Sequence, residues 1–169
     1  PMACANLPYY ITSPILSALL EAECFDTVTV MVQKEAAQRI CAPVGSRLSG
    51  AVTVAVDYYA NAHKLFDVSA GSFMPAPKVD SCVIKMDIRK QPEIEITDEK
   101  LFFKIVHSAF GQRRKTASNS ISSGSGIAKD IVIRAIEECG FEPSVRAETL
   151  KMEELALLSE KIGELLKNS

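Results

Sequence analysis

An α/β unit followed by a small all-α unit is predicted by three features of this 169-residue sequence. Residues 27–32, Thr-Val-Thr-Val-Met-Val, form a nearly unbroken β-branched and apolar run, as a parallel strand covered on both faces requires. Residues 81–89 carry Cys82, Val83, Ile84, Met86 and Ile88, a second strand-like run. Beyond residue 97 such runs stop, and apolar residues recur every three or four positions, which is helical spacing.

Taken in order, Met2 to Ala5 are small or apolar and read as the end of a buried strand. Its C-terminal tip is Asn6-Leu7-Pro8-Tyr9, and ligands of open α/β sheets sit at such tips. Thr12 or Ser13 is placed to cap a helix with Pro14 in its first turn and Ile15, Leu16, Leu19 and Leu20 as its apolar stripe. A helix over 34–41 follows the strand at 27–32. Residues 48–60 fit two patterns: Val52, Val54 and Val56 alternate as in a strand, while Leu48, Ala51, Ala55, Val56 and Tyr59 recur as in a helix. Helix is preferred there because 62–69 and 81–89 already supply strands. Residues 91–97 read as a connection between a first domain, 1–90, and a second, 98–169. The second contains a helix over 98–112 with Thr97 or Asp98 as cap, a flexible Ser/Gly-rich turn over 118–126, a helix over 129–139 stopped by Gly140, and a last helix over 152–166.

Composition excludes several classes. With 47% apolar and 24% charged residues, the chain is an ordinary globular mixture, and no apolar run approaches the length of a membrane span. The first residues lack the pattern of a secretory signal, so a cytoplasmic protein is the expectation. Five scattered cysteines without Cys-x-x-Cys read as buried free thiols, and two distant histidines suggest no metal. A net charge of −2 gives no global attraction to nucleic acid, so any such contact needs a local patch. One exists: residues 100–129 hold six cations, Lys100, Lys104, Arg113, Arg114, Lys115 and Lys129, and no carboxylate. Helical spacing puts Lys100, Lys104, His107 and Lys115 on one side, opposite Phe102, Ile105, Val106 and Ala109.

Pro8 fixes its own φ and biases Leu7 away from helix, which leaves the carbonyls of Asn6-Leu7-Pro8-Tyr9 free to accept hydrogen bonds. Alone, these residues are equally an ordinary turn with Tyr9 as packing. Phe73-Met74-Pro75-Ala76-Pro77-Lys78-Val79-Asp80-Ser81 adds a second motif, in which two prolines hold an extended loop that presents Phe73. Together with Tyr10-Ile11-Thr12-Ser13-Pro14, Val32-Gln33-Lys34-Glu35 and Phe110-Gly111-Gln112-Arg113-Arg114-Lys115-Thr116, these strings resemble the small-subunit ribosomal RNA adenine N6-dimethyltransferases across nearly the whole chain.

The resemblance implies the C-terminal part of a Rossmann-like, S-adenosylmethionine-dependent methyltransferase sheet followed by a helical RNA-binding domain. It implies that Asn6 and the Leu7 carbonyl accept the amine hydrogens of a flipped-out adenine, within a catalytic loop that includes Pro8 and Tyr9. Tyr9 and Phe73 would stack on the base from opposite sides, and Asn6 would also lie against the methionine end of the cofactor. Lys78, Lys100, Lys104, Arg113, Arg114 and Lys115 would meet ribosomal RNA. In such enzymes a Gly-rich turn and an acidic residue that hold the cofactor lie upstream of the Asn-Leu-Pro-Tyr loop, where only five residues stand here. A monomer without metal, inactive as this piece alone, is the resulting expectation. Two other readings share parts of the pattern, a non-catalytic assembly module that docks on ribosomal RNA and a large-subunit adenine methylase of the resistance type.

Overall fold

The computed structural model describes residues 1–169. Four strands, β1 (Met2–Asn6), β2 (Thr27–Gln33), β3 (Ala60–Val68) and β4 (Ser81–Ile88), and seven helices, α1 (Thr12–Glu21), α2 (Lys34–Ile40), α3 (Ala51–Tyr59), α4 (Glu99–Phe110), α5 (Ala117–Ser125), α6 (Lys129–Glu138) and α7 (Met152–Lys167), follow in the order β1-α1-β2-α2-α3-β3-β4-α4-α5-α6-α7. The predicted α/β class with a following all-α part is what forms. The chain divides into two compact units, Pro1–Pro43 with Ala55–Glu93, and Val44–Val54 with Ile94–Ser169.

In the first unit the strands lie in one sheet of order β1-β2-β4-β3. β1 runs parallel to β2, while β4 is antiparallel to both β2 and β3. From its apolar run β2 was expected to be covered on both faces. Instead it alternates, with Val28, Val30 and Val32 at 0–1% exposure and Thr27, Thr29, Met31 and Gln33 half-buried. α2 packs on β2, β3 and β4, and Leu16 and Leu20 of α1 and Ile84 and Met86 of β4 are each buried. The ambiguous stretch 48–60 resolves as helix, and α3 passes into β3 at Tyr59–Ala60 with no intervening loop. Arg89 secures this join by donating to the carbonyls of Asp57 and Ala60.

One helix start differs from its sequence signal, and another settles between the two caps on offer. Thr12 does not cap α1; a 3₁₀ turn over Tyr9–Ile11 runs straight into the helix, and the Thr12 hydroxyl points back to donate to Pro8 O at 3.2 Å. The turn supplies the first intrahelical bonds, so a side-chain cap is redundant. At α4 the cap is Asp98, whose carboxylate accepts from Leu101 N at 2.9 Å.

In the second unit α4 packs on α5 and α7, and α6 on α5 and α7, around Phe102, Ile105, Ile121, Ile136, Leu155, Leu158 and Ile162. The Ser/Gly-rich segment 118–126 is not a flexible turn: 117–125 is α5, capped by Thr116 and ended by Gly126 at φ +75. Small side chains are what this helix needs, because a Cβ on Gly124 would lie 2.9 Å from Ser108 Cβ on α4. From sequence the domain boundaries fall at 90 and 97, whereas the structure assigns 44–54 and 94–97 to the second unit. Thr97 N donates to the Glu160 carboxylate of α7 at 2.8 Å and Arg113 Nη2 to Ser49 O at 2.6 Å, and Gly45 lies against Lys151.

The thiols are mostly not buried as expected. Cys82 is, but Cys4 and Cys24 are exposed and Cys41 and Cys139 intermediate, since β1 turns Cys4 outward and Cys24 lies in a loop. Burial is the first cause that raises the pKa of Cys41, Cys82 and Cys139. No helix is long and apolar enough to cross a membrane, and no group of three or more His, Cys, Asp or Glu is placed to hold a metal.

Candidate functional site

β1 delivers Asn6 to the edge of a cavity of about 310 Å³ lined by Asn6, Leu7, Pro8, Tyr9, Phe73, Pro75 and Pro77. The strand stays in register to its end, where Asn6 pairs with Met31 and Leu7 N donates to Met31 O at 3.1 Å. Leu7 itself is 4% exposed and lines the cavity, so it anchors the loop. The 3₁₀ turn then takes up part of the backbone. Pro8 O accepts from Ile11 N and from the Thr12 hydroxyl, both at 3.2 Å, and Tyr9 O accepts from the same hydroxyl at 3.4 Å. The expectation that every carbonyl of this loop stays free is therefore corrected. The Leu7 carbonyl and the Asn6 amide are the acceptors that hold no hydrogen bond, and Asn6 is exposed.

The opposite wall comes from the loop between β3 and β4. Ser69 accepts from Gly71 N, Phe73 N donates to Ala70 O, and Phe73 leaves the short 3₁₀ turn with extended backbone at φ −118, ψ 152. The Met74–Pro75 bond is cis. Asp80 shuts the base of the loop, its carboxylate accepting from Ala70 N at 2.9 Å and its carbonyl from Lys34 N at 3.0 Å. Beside this base, Lys34 Nζ pairs with Asp67 at 2.8 Å. The ammonium holds the Asp67 carboxyl below the usual range, and Asp67 in turn raises Lys34.

Tyr9 and the loop meet through a residue that sequence reasoning left without a role. Tyr9 Oη and Ser81 Oγ share a hydrogen bond of 2.6 Å. Ser81 and Asp80 close the Phe-x-Pro-x-Pro-Lys-Val-Asp-Ser string, so the motif itself was the signal that they matter.

Of the other residues singled out, Lys78 is exposed on the same loop as Phe73. In the second unit Lys100 and Lys104 are exposed on α4, with Phe102, Ile105, Val106 and Ala109 buried opposite them. α4 ends at Phe110, so Lys115 lies in the following turn with Arg113 and Arg114, outside the helical phase expected for it. Arg113 is partly committed, since its guanidinium holds the Ser49 carbonyl.

A parallel pair whose first strand ends in a polar turn, continued by an antiparallel outer pair, is the arrangement of a Rossmann-like methyltransferase sheet. The same fold occurs in a dimethyladenosine transferase from Plasmodium falciparum, with 22% identity and a TM-score of 0.77 over 96% of this chain and 66% of that one. It also occurs in the 23S rRNA methyltransferase ErmE, with 23% identity and a TM-score of 0.64 over 96% and 65%. The chain belongs to the ribosomal RNA adenine dimethylase family, whose model matches residues 2–162. Among curated relatives, Ribosomal RNA small subunit methyltransferase A of Clostridium botulinum strain Loch Maree is 46% identical over 163 residues, covering 96% of this chain and 59% of that protein. The Shouchella clausii protein of the same name is 43% identical over 168 residues, covering 98% and 57%. The chain thus spans somewhat over half the length of these relatives.

Proposed function

We propose that the protein carrying this chain is an S-adenosylmethionine-dependent enzyme that dimethylates the amino nitrogens of adjacent adenosines in the 3′-terminal hairpin of small-subunit ribosomal RNA, acting in the cytoplasm during ribosome biogenesis. The observation that carries this reading is the cavity between Tyr9 and Phe73, at whose edge the Asn6 amide and the Leu7 carbonyl are left as unengaged acceptors. Two neutral acceptors suit an exocyclic amine, which offers two hydrogens. A cavity lined by two aromatic residues suits a base that has left its stack.

S-adenosylmethionine supplies an electrophilic methyl group. Asn6, exposed at the strand tip, fits the methionine end of that molecule. No strand-to-helix junction within residues 1–169 carries a glycine-rich turn for the rest of it, since Gly124 and Gly126 belong to the end of α5. The Asn6 oxygen and the Leu7 carbonyl orient the amine by accepting its hydrogens and direct its lone pair out of the base plane. They stabilise the positive charge that grows on nitrogen as the bond to carbon forms. Tyr9 and Phe73 hold the base plane, and Pro8, Pro75 and Pro77 keep the loops from relaxing around it. The exposed cations Lys78, Lys100, Lys104, Arg114 and Lys115 would contact phosphates, with Arg113 contributing less because of its bond to Ser49.

The test is single-turnover methylation of a hairpin RNA by the protein at the length of its relatives. Asn6→Ala is expected to slow methyl transfer about 100-fold to 1,000-fold while RNA affinity holds. Transfer within a few-fold of the parent would refute the role of Asn6, and RNA binding without any transfer by the parent would favour a non-catalytic assembly module.

A further inference from the structure

We infer that Ser81 is a positioning residue of this cavity: its hydrogen bond to Tyr9 sets the plane of one aromatic wall relative to the other. The inference rests on the reading of Tyr9 and Phe73 as stacking residues. Ser81 is fully buried, with 0% exposure, and opens β4, where its backbone is flanked by Gln33 of β2 and Val68 of β3. Its hydroxyl is therefore a fixed point of the sheet. Tyr9, by contrast, stands in a 3₁₀ turn beyond the end of β1 and is half-exposed, so its ring keeps rotamer freedom unless something tethers the phenol. The 2.6 Å bond, at the short end of the O–H···O range, is that tether.

Ser81 also terminates the loop that carries Phe73, and the residue before it, Asp80, closes that loop on Ala70 N. One buried serine thus joins both walls, through its hydroxyl to Tyr9 and through its chain to Phe73. The bond is only partly buried. Without it, water takes over the phenol, so the ring loosens while the strand pairing around Ser81 stays. A base lying against a loosened ring no longer presents its amine squarely to Asn6 and Leu7, and small displacements of a reacting atom are expensive in rate.

The experiment compares Ser81→Ala, Ser81→Thr, Tyr9→Phe and the Ser81→Ala/Tyr9→Phe pair, in the protein at the length of its relatives, for single-turnover methyl transfer and hairpin affinity. Ser81→Ala and Tyr9→Phe should each slow transfer roughly threefold to thirtyfold with affinity within about twofold, and the double variant should be no slower than either. Ser81→Thr keeps the hydroxyl and should keep most of the rate. Multiplying losses in the double variant, or Ser81→Ala and Tyr9→Phe both transferring as fast as the parent, would overturn the inference. If Ser81→Ala fails to fold, Tyr9→Phe decides alone: slowed transfer with an unchanged melting temperature supports the tether, and an unchanged rate removes it. Asn6→Ala run in parallel separates the two readings, because a fast Asn6→Ala sinks the proposed function while a slow Asn6→Ala beside a fast Tyr9→Phe sinks only the role of Ser81.

Discussion

Gly124→Ala should destabilise the second unit although it places a better helix former inside α5. Propensity alone favours alanine over glycine by about 1 kcal/mol. Against this, the added Cβ would lie 2.9 Å from Ser108 Cβ and 3.0 Å from both Ser108 Cα and Oγ. Ser108 cannot move aside: it is 8% exposed, and its hydroxyl is held by Lys104 O at 2.7 Å. Forcing a methyl into a packed contact costs about 1–3 kcal/mol, and contacts at 2.9–3.0 Å that include the Ser108 backbone belong to the upper part of that range, about 2–3 kcal/mol, so the steric cost prevails and the net loss is about 1–2 kcal/mol. For a chain of this size that corresponds to a fall in Tm of roughly 2–8 °C. Gly163→Ala in α7 is the internal control. There the nearest atom to a new Cβ is Leu101 Cδ2 at 3.3 Å, the end of a flexible side chain, so propensity should win and Tm should hold or rise. Thermal and urea unfolding followed by far-UV circular dichroism measure both. A Gly124→Ala protein as stable as the parent, or equal shifts for the two glycines, would refute the packing argument.

The basic turn yields an expectation about salt. Arg114→Ala/Lys115→Ala should weaken hairpin binding similarly for all sequences and flatten the slope of log K against log salt by up to about 0.9 for each phosphate no longer neutralised, whereas Arg113→Ala should flatten it less and lower Tm, because its guanidinium holds Ser49 O. Equal slopes for the parent and the double variant would place RNA docking elsewhere. Alkylation of native protein by iodoacetamide should label Cys24 and spare Cys82, whose thiol is buried and whose pKa is pushed up by burial and then by Asp67; mass spectrometry of digested protein reads this, and early labelling of Cys82 would contradict it. The Lys34–Asp67 pair gives a small pH effect. Asp67 titrates below its ordinary value when folded, so its contribution is present above the carboxylate range and fades as pH falls through the lowered value. The difference in urea midpoint between parent and Lys34→Met should accordingly be present at neutral pH and vanish in acid, and a difference independent of pH would remove the ion pair as its cause.

Much of this architecture was legible because period and composition agree locally. The runs at 27–32 and 81–89 had one reading, and the helices at 34–41, 98–112, 129–139 and 152–166 carried stripes or stops that match the observed ends within a few residues. The Asn-Leu-Pro-Tyr tip and the Phe73 loop stood out as motifs, although only folding puts them in one cavity. What sequence could not convey is set by partners distant along the chain. Ser118 to Gly126 looks like a turn by composition, yet tight packing on Ser108 makes small residues the requirement for a helix. Thr12 has the chemistry of a cap but finds Pro8 O already in reach. Arg113 reads as one of three equivalent cations until Ser49 is found beneath its guanidinium.

The bond between Tyr9 and Ser81 joins residues 72 positions apart, and this separation dates the site within the life of the chain. Helices such as α1 and α2 close on neighbours a few residues away and can form as soon as they are made. The cavity has no such local route, since its second wall and its tether wait for β3, the loop and the start of β4. At about 5–20 residues per second of synthesis, Tyr9 exists for roughly 4–14 s before Ser81 is added. Throughout that interval a nascent chain displays the Asn6 tip without its facing wall. On the proposed function, a seat for a flipped base therefore arrives only with the completion of β4, late in the synthesis of this segment.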